Sequence, residues 1–92
     1  MDYEKHAKIF RVLSNPTRIK ILAVLAEKPV CVSELMQCTC HRQAYVSQQL
    51  MFLRSIDWVS CKKEGCSVCY HLNQTPETVW VCELIEKYCP KV

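Results

Sequence analysis

His41-Arg42-Gln43-Ala44-Tyr45-Val46-Ser47-Gln48-Gln49-Leu50-Met51-Phe52-Leu53-Arg54 is the stretch that decides the fold. Val46, Leu50 and Leu53 recur at steps of four and three, which gives one apolar stripe on a helix. Most of the other positions are polar but uncharged, or basic: Arg42, Gln43, Ser47, Gln48 and Gln49. A solvated helix normally carries Glu and Lys there. Gln and Ser are short donor-acceptor groups that can read base edges, and Arg reads guanine or grips phosphate. No acidic residue lies between Met36 and Asp57 to repel a phosphate backbone. A plain amphipathic helix would show the same stripe, so the flanking segments decide between the two readings.

Upstream, Val30-Cys31-Val32 reads as a short extended piece. Ser33 can cap a brief helix from Glu34 to about Cys38, with Glu34 placed against the positive end of the helix dipole. Thr39-Cys40-His41 is a tight connection into the polar-faced helix. Two short helices joined by a tight turn, the second carrying the readout face, form a helix-turn-helix. Downstream, Asp57–Lys62 and Cys66–Leu72 are strand-like around Lys63-Glu64-Gly65. Gly65, the only glycine, sits where a hairpin needs a positive φ. Val68, Tyr70 and Leu72 alternate inward. A hairpin in this position is the wing of a winged helix, and Lys62 and Lys63 at its tip could grip phosphate. Solubilising surface charge is the competing reading of those lysines.

The ends of the chain are helical. Tyr3–Leu13 has Ala7, Phe10 and Leu13 on one side. Ser14-Asn15-Pro16 stops it and starts a second helix, Pro16 to about Ala26, with Ile19, Leu22 and Ala26 inward. Thr75-Pro76-Glu77 opens the last helix with a cap, a first-turn proline and a first-turn acid. Trp80, Val81, Leu84, Ile85 and Tyr88 are more apolar surface than one terminal helix can bury against itself. The first helix is terminal and amphipathic too, so the two together predict a homodimer interface.

The 92 residues predict one small domain, 1–92, with a thin but adequate core. The net charge of +3 is modest, but residues 1–72 hold ten Lys/Arg against six Asp/Glu, and residues 73–92 hold two against three. The basic excess therefore travels with the polar-faced helix. The first six residues are mixed in charge, and Ile21–Ala26, the longest apolar run, is far too short to span a bilayer. A cytoplasmic protein with no membrane partner is expected. Its eight cysteines are then thiols, metal ligands or redox switches, rather than a disulfide framework.

The motifs, taken in order, are Leu13-Ser14-Asn15-Pro16-Thr17-Arg18-Ile19-Lys20-Ile21-Leu22, Cys31-Val32-Ser33-Glu34-Leu35, Val46-Ser47-Gln48-Gln49-Leu50 with Leu53-Arg54, Lys62-Lys63-Glu64-Gly65 and Val68-Cys69-Tyr70-His71-Leu72. In that order and spacing they resemble the ArsR/SmtB winged-helix repressors from about residue 5 to residue 89. The resemblance implies a mainly α fold with a small β-hairpin, in the order α-α-α-α-β-β-α, as a homodimer on double-stranded operator DNA. It implies release when a metal ion, metalloid or thiol-reactive species is sensed. Recognition contacts carried over fall on Arg42, Gln43, Ser47 and Gln48, extending to Tyr45 and Gln49, and wing contacts fall on Lys62 and Lys63.

The sensor set implied by the resemblance is incomplete. Cys31 matches the first cysteine of a Cys-Val-Cys-Asp-Leu metalloid motif, but the second position is Ser33. Residues 75–92 have neither the His nor the Asp of a last-helix zinc site. Cys89 matches one member of a redox pair whose second-helix partner is replaced here by Ala23. Cys38-Thr39-Cys40-His41 stands out, because relatives usually have Gly at position 40 and a capping Ser at position 42. Two thiolates and an imidazole so close could supply three ligands to zinc or another soft ion, while small buried residues are the bland reading. Cys61, Cys66 and Cys69 are read as wing thiols without a role. Cys82 and Cys89 lie two turns, about 10.5 Å, apart along one helix and cannot pair within it.

The reading is a dimeric repressor released from DNA by a thiol-directed signal. The candidate sensors are Cys31, Cys38, Cys40, His41 and Cys89, with a soft metal ion, zinc or a metalloid, as a ligand the cysteines could hold. A zinc-stabilised winged-helix interaction module that does not read DNA is the alternative. An enzyme is not expected. The one Cys-x-x-Cys, Cys66 to Cys69, falls in a predicted hairpin, and there is no phosphate loop or Ser/His/Asp pattern.

Overall fold

A computed structural model describes residues 2–65 and 67–88. The elements are α1 (Tyr3–Leu13), α2 (Pro16–Leu25), β1 (Val30–Cys31), α3 (Val32–Thr39), α4 (Gln43–Ser55), β2 (Val59–Glu64), β3 (Ser67–Leu72) and α5 (Pro76–Tyr88). The strands form one antiparallel sheet in the order β1-β3-β2. The extended piece at Val30 is thus a third strand rather than a separate segment, with Val30 opposite Tyr70 and Cys31 opposite Cys69.

Local chemistry explains most boundaries. Asp2 caps α1 by accepting from the Lys5 amide at 3.1 Å. Asn15 caps α2 through the Thr17 and Arg18 amides, with Pro16 in the first turn. Thr75 Oγ1 accepts from the Thr78 amide at 3.1 Å and starts α5. The start of α3 differs from expectation. Cys31, not Ser33, takes the cap position, without a side-chain hydrogen bond, and Ser33 lies inside the first turn. The turn between α3 and α4 has neither of its usual aids. Cys40 sits in the left-handed region at φ 58°, and Arg42 caps α4 without a side-chain hydrogen bond. A non-glycine residue there costs about 1–2 kcal/mol.

The core is built around the helix-turn-helix. Ile21, Leu35, Val46, Leu50 and Leu53 are fully buried, so the stripe anticipated on α4 faces inward. The expected stripes on α1 and α2 are rotated. Ile9 and Val12 are the buried face of α1, while Ala7 and Phe10 face outward. On α2 the inner positions are Thr17, Ile21, Leu22 and Leu25, with Ala26 exposed. Val30 and Val59 cover the core from the sheet, and Val81 and Ile85 from α5.

Two contacts fix the wing against α4. The Trp58 amide donates to the Leu53 carbonyl and the Asp57 amide to the Arg54 carbonyl, both at 3.0 Å, and Asp57 turns the chain at φ 62°. Asp is one of the few side chains that tolerate that region. Asn73 ties the far end of the hairpin down, donating to the Asp57 carbonyl and accepting from Ser60, both at 2.9 Å.

Candidate nucleic-acid interface

α4 packs on α3 and α2 through Val46, Leu50 and Leu53 and turns its other side to solvent. Ala44, Gln48, Met51 and Ser55 lie on that side, all exposed, at the steps of three and four that align residues on a helix. Arg42 and Gln43 are exposed at its N-terminal end, and Ser47 is half-buried on the flank. Because Arg42 caps without a side-chain bond, no side chain at the cap covers the first-turn amides of α4. No acidic side chain lies on the helix. The outward face is therefore neutral to basic and rich in short hydrogen-bonding groups.

Two of the expected readers point elsewhere. Gln49 is only 7% exposed, and its side-chain oxygen accepts from Arg18 Nε at 2.9 Å. It lies on the inner side of α4 beside the apolar stripe, so it holds α4 to α2 and does not face a ligand. Tyr45 is half-buried, and its hydroxyl receives a 3.4 Å bond from Asn15. The bonds from Asn15 and then Thr17 hold that hydroxyl below the usual tyrosine range, with help from the Arg18 charge. The Tyr45 ring stacks on His41 at 4.5 Å. The sequence reading passed over Arg18, whose guanidinium also lies 4.2 Å from the centre of the Phe52 ring. Its place in the first turn of α2, a basic residue directly before the apolar Ile19, Ile21 and Leu22, was the available signal.

The wing lysines lie within β2 rather than at its tip. The strand runs on to Glu64, and Gly65 makes the turn at φ 61°. Lys62 is opposite Cys69 and Lys63 opposite Val68. Successive residues of a strand face opposite sides, so Lys62 lies on the outer face of the sheet. Lys63 continues the face that covers the core further along. Both are exposed.

The candidate sensor residues are scattered. Cys38 and Cys40 are exposed, and Cys40 Sγ rests 3.8 Å from the Gln37 carbonyl. The His41 ring is engaged with Tyr45. Among the described residues no three His, Cys, Asp or Glu side chains come together in a group that could hold a metal ion. Cys38, Cys40 and His41 therefore do not converge on one point, as the ligands of a zinc ion must. Cys38 is not a buried core residue either. Cys66 and Cys89 lie outside the described residues. The structure instead brings Cys31 against Cys69, a wing thiol to which the sequence assigns no role, with their sulfurs 3.2 Å apart. The Cys69 thiol is raised above its usual range, first by its hydrogen bond to Cys31 and then by burial.

The sequence profile of the bacterial regulatory proteins of the arsR family matches residues 15–60, which span α2, α3, α4 and the start of β2. The chain belongs to the ArsR family. An uncharacterized HTH-type transcriptional regulator of Methanocaldococcus jannaschii is 35% identical over 71 residues, covering 76% of this chain and 80% of that protein. A transcriptional repressor SmtB homolog of Synechocystis is 32% identical over 69 residues, 75% of this chain and 52% of that protein. The crystal structure of the transcriptional repressor BigR from Xylella fastidiosa superposes with a TM-score of 0.86 at 27% identity, over 97% of this chain and 90% of that one. This ArsR-family chain is thus a winged helix-turn-helix, DNA-binding transcriptional regulator. No helix among its described residues is long and apolar enough to cross a membrane.

Proposed function

We propose that this chain is a homodimeric cytoplasmic repressor, one domain without catalytic activity, that reads a two-fold operator with α4 and releases it on a thiol-directed signal. The observation that carries the DNA reading is the outward face of α4, free of acid and lined by Gln48 and Ala44, with Arg42, Gln43 and Ser47 around its N-terminal half. Placed in a major groove, Gln43, Ser47 and Gln48 supply base-edge hydrogen bonds, and Ala44 meets a thymine methyl. Arg42 and the first-turn amides of α4 contact phosphate. Lys62 and Lys63 add flanking phosphate contacts from the wing.

The dimer reading rests on unpartnered apolar surface at the two terminal helices. Tyr3 and Phe10 on α1 are 79% and 55% exposed, and Val79 and Tyr88 on α5 are 43% and 67% exposed. The two helices already meet through Phe10 and Trp80, whose rings lie edge to face at 5.8 Å. The Lys5–Glu77 ion pair at 2.8 Å joins them as well. A partner covering this surface would set two copies of α4 at the spacing of successive grooves.

A binding series on selected and random duplexes tests the assignment. Gln43→Ala and Ser47→Ala should each lose about 1–3 kcal/mol of sequence preference. Lys63→Ala should weaken binding to every duplex alike and lower the salt dependence by about one phosphate contact. Equal losses on both duplexes for all three variants would refute it.

A further inference from the structure

We propose that Cys31 and Cys69 form an oxidation site that a hydroperoxide converts into an intrachain disulfide, locking the start of α3 to the wing; its effect on DNA rests on the reading above.

The register brings the two thiols together. Cys31 and Cys69 are directly opposite in the antiparallel pair of β1 and β3, with their sulfurs 3.2 Å apart. Opposite residues in antiparallel strands have Cα atoms about 4.5 or 5.5 Å apart, and both spacings lie in the disulfide range of about 4.4–6.8 Å. Side-chain rotation therefore suffices to close the bond, to an S–S length of about 2.05 Å. Val30 and Val59 point from the sheet into the core, so the two cysteines lie on its outer face, half-buried and within reach of a small oxidant.

The chemistry balances with the hydroperoxide as the only co-reactant. The hydrogen bond to Cys31 raises the Cys69 thiol, so the attack is assigned to the Cys31 sulfur, the member of the pair at the start of α3. Cys31 gives up its proton and attacks the peroxide as the thiolate, the O–O bond breaks, a sulfenic acid forms, and the departing hydroxide, or alkoxide from an alkyl peroxide, takes up that proton as water or an alcohol. Cys69 sulfur then attacks the Cys31 sulfur, the S–O bond breaks, and the departing hydroxide takes up the Cys69 proton as water. The two thiols lose two electrons and two protons, and the peroxide gains them.

The position links this chemistry to the reading head. The two cysteines are 38 residues apart, and the chain between them holds α3, α4 and β2. Cys31 is also the cap residue of α3. Lys62, a proposed phosphate contact, is the next member of the same rung, opposite Cys69. Closing the bond ties α3 to the wing and so removes the freedom of α4 and Lys62 to adjust to one another on DNA.

The test treats the full, reduced chain with hydrogen peroxide and follows intact mass, mapped disulfides, melting and DNA binding. The DNA is a duplex that the reduced chain selects from a random library. The expected results are loss of two hydrogens per chain, a Cys31–Cys69 cross-linked peptide and a Tm raised on the order of 10 °C. Affinity should fall about tenfold, which is ~1.4 kcal/mol, and dithiothreitol should restore it. Cys31→Ser and Cys69→Ser, with Cys69→Val as a second variant should serine disturb the strand, must abolish the cross-link and keep their affinity in peroxide. Cys31 and Cys69 still open to alkylation while other thiols oxidise would overturn the proposal, as would a cross-link that leaves affinity unchanged. A chain that forms the cross-link but selects no duplex when reduced would support the thiol site and refute the DNA reading.

Discussion

Two groups of cysteines in this small domain contrast sharply. Cys38, Cys40 and His41 lie within four residues of one another, yet they splay outward from a tight turn and share no centre. Cys31 and Cys69 are 38 residues apart, yet their sulfurs touch. Closeness in sequence at a helix end leaves the side chains free to diverge, because the chain reverses direction within the cluster. A strand register, once set by the burial of Val30, Val59 and Leu72 toward the core, fixes its opposite residues for the whole rung. In this chain chemistry between distant residues is assembled by the sheet.

Removing Leu35, the fully buried side chain of α3 between Cys31 and Cys38, strikes both groups at once. Leu35→Ala should cost about 2–5 kcal/mol in denaturant titration and loosen both regions together. Unchanged stability would mean that α3 does not anchor them. Forming the Cys31–Cys69 bond should give the next largest change, up to about 4 kcal/mol from closing so long a loop. The same oxidation of a chain lacking Cys38 and Cys40 should give an undiminished gain.

The turn itself supplies a sharper contrast. Cys40→Gly should stabilise the reduced chain by about 1 kcal/mol, since glycine adopts φ 58° freely. Oxidation at Cys31 should be unaffected. A destabilising result would show that the Cys40 side chain makes a contact that outweighs its backbone cost. Cys31→Ser should add about 0.5–1 kcal/mol by giving α3 the cap it lacks. A loss on that substitution would mark the sulfur contact as the stronger stabiliser.

The smallest effect expected is one of pH. The Cys69 thiol is raised in the fold, so its contribution to stability is present at and below the usual thiol range and is lost as pH rises through the folded value. Melts taken from about pH 7 to about pH 10 should decline less steeply for Cys69→Ser than for the parent chain. Parallel curves would remove Cys69 as a contributor.

Much of the fold was legible because it is written in local signals. Asn15-Pro16 and Thr75-Pro76-Glu77 mark helix starts by capping chemistry, Gly65 marks the hairpin turn, and Val46, Leu50 and Leu53 orient α4. Phe10 misled the reading of α1, because an exposed apolar side chain that packs only beside Trp80 has the same letter as one facing the core. Gln49 misled the reading of α4, because a buried glutamine that accepts from Arg18 has the same letter as one that reads a base. The Cys31–Cys69 contact was hidden because β1 is two residues long and has no periodicity to reveal its partner.

Two versions of the chain separate the sheet pair from the turn cluster, one keeping only Cys31 and Cys69, the other only Cys38 and Cys40, with serine at the remaining cysteines. Each would be titrated with hydrogen peroxide and its free thiols counted under denaturing conditions. The Cys31/Cys69 chain should lose both thiols together to an intrachain cross-link at about one equivalent of peroxide, and the Cys38/Cys40 chain should form no intrachain bridge. Bridge formation in the second chain and not in the first would contradict the account.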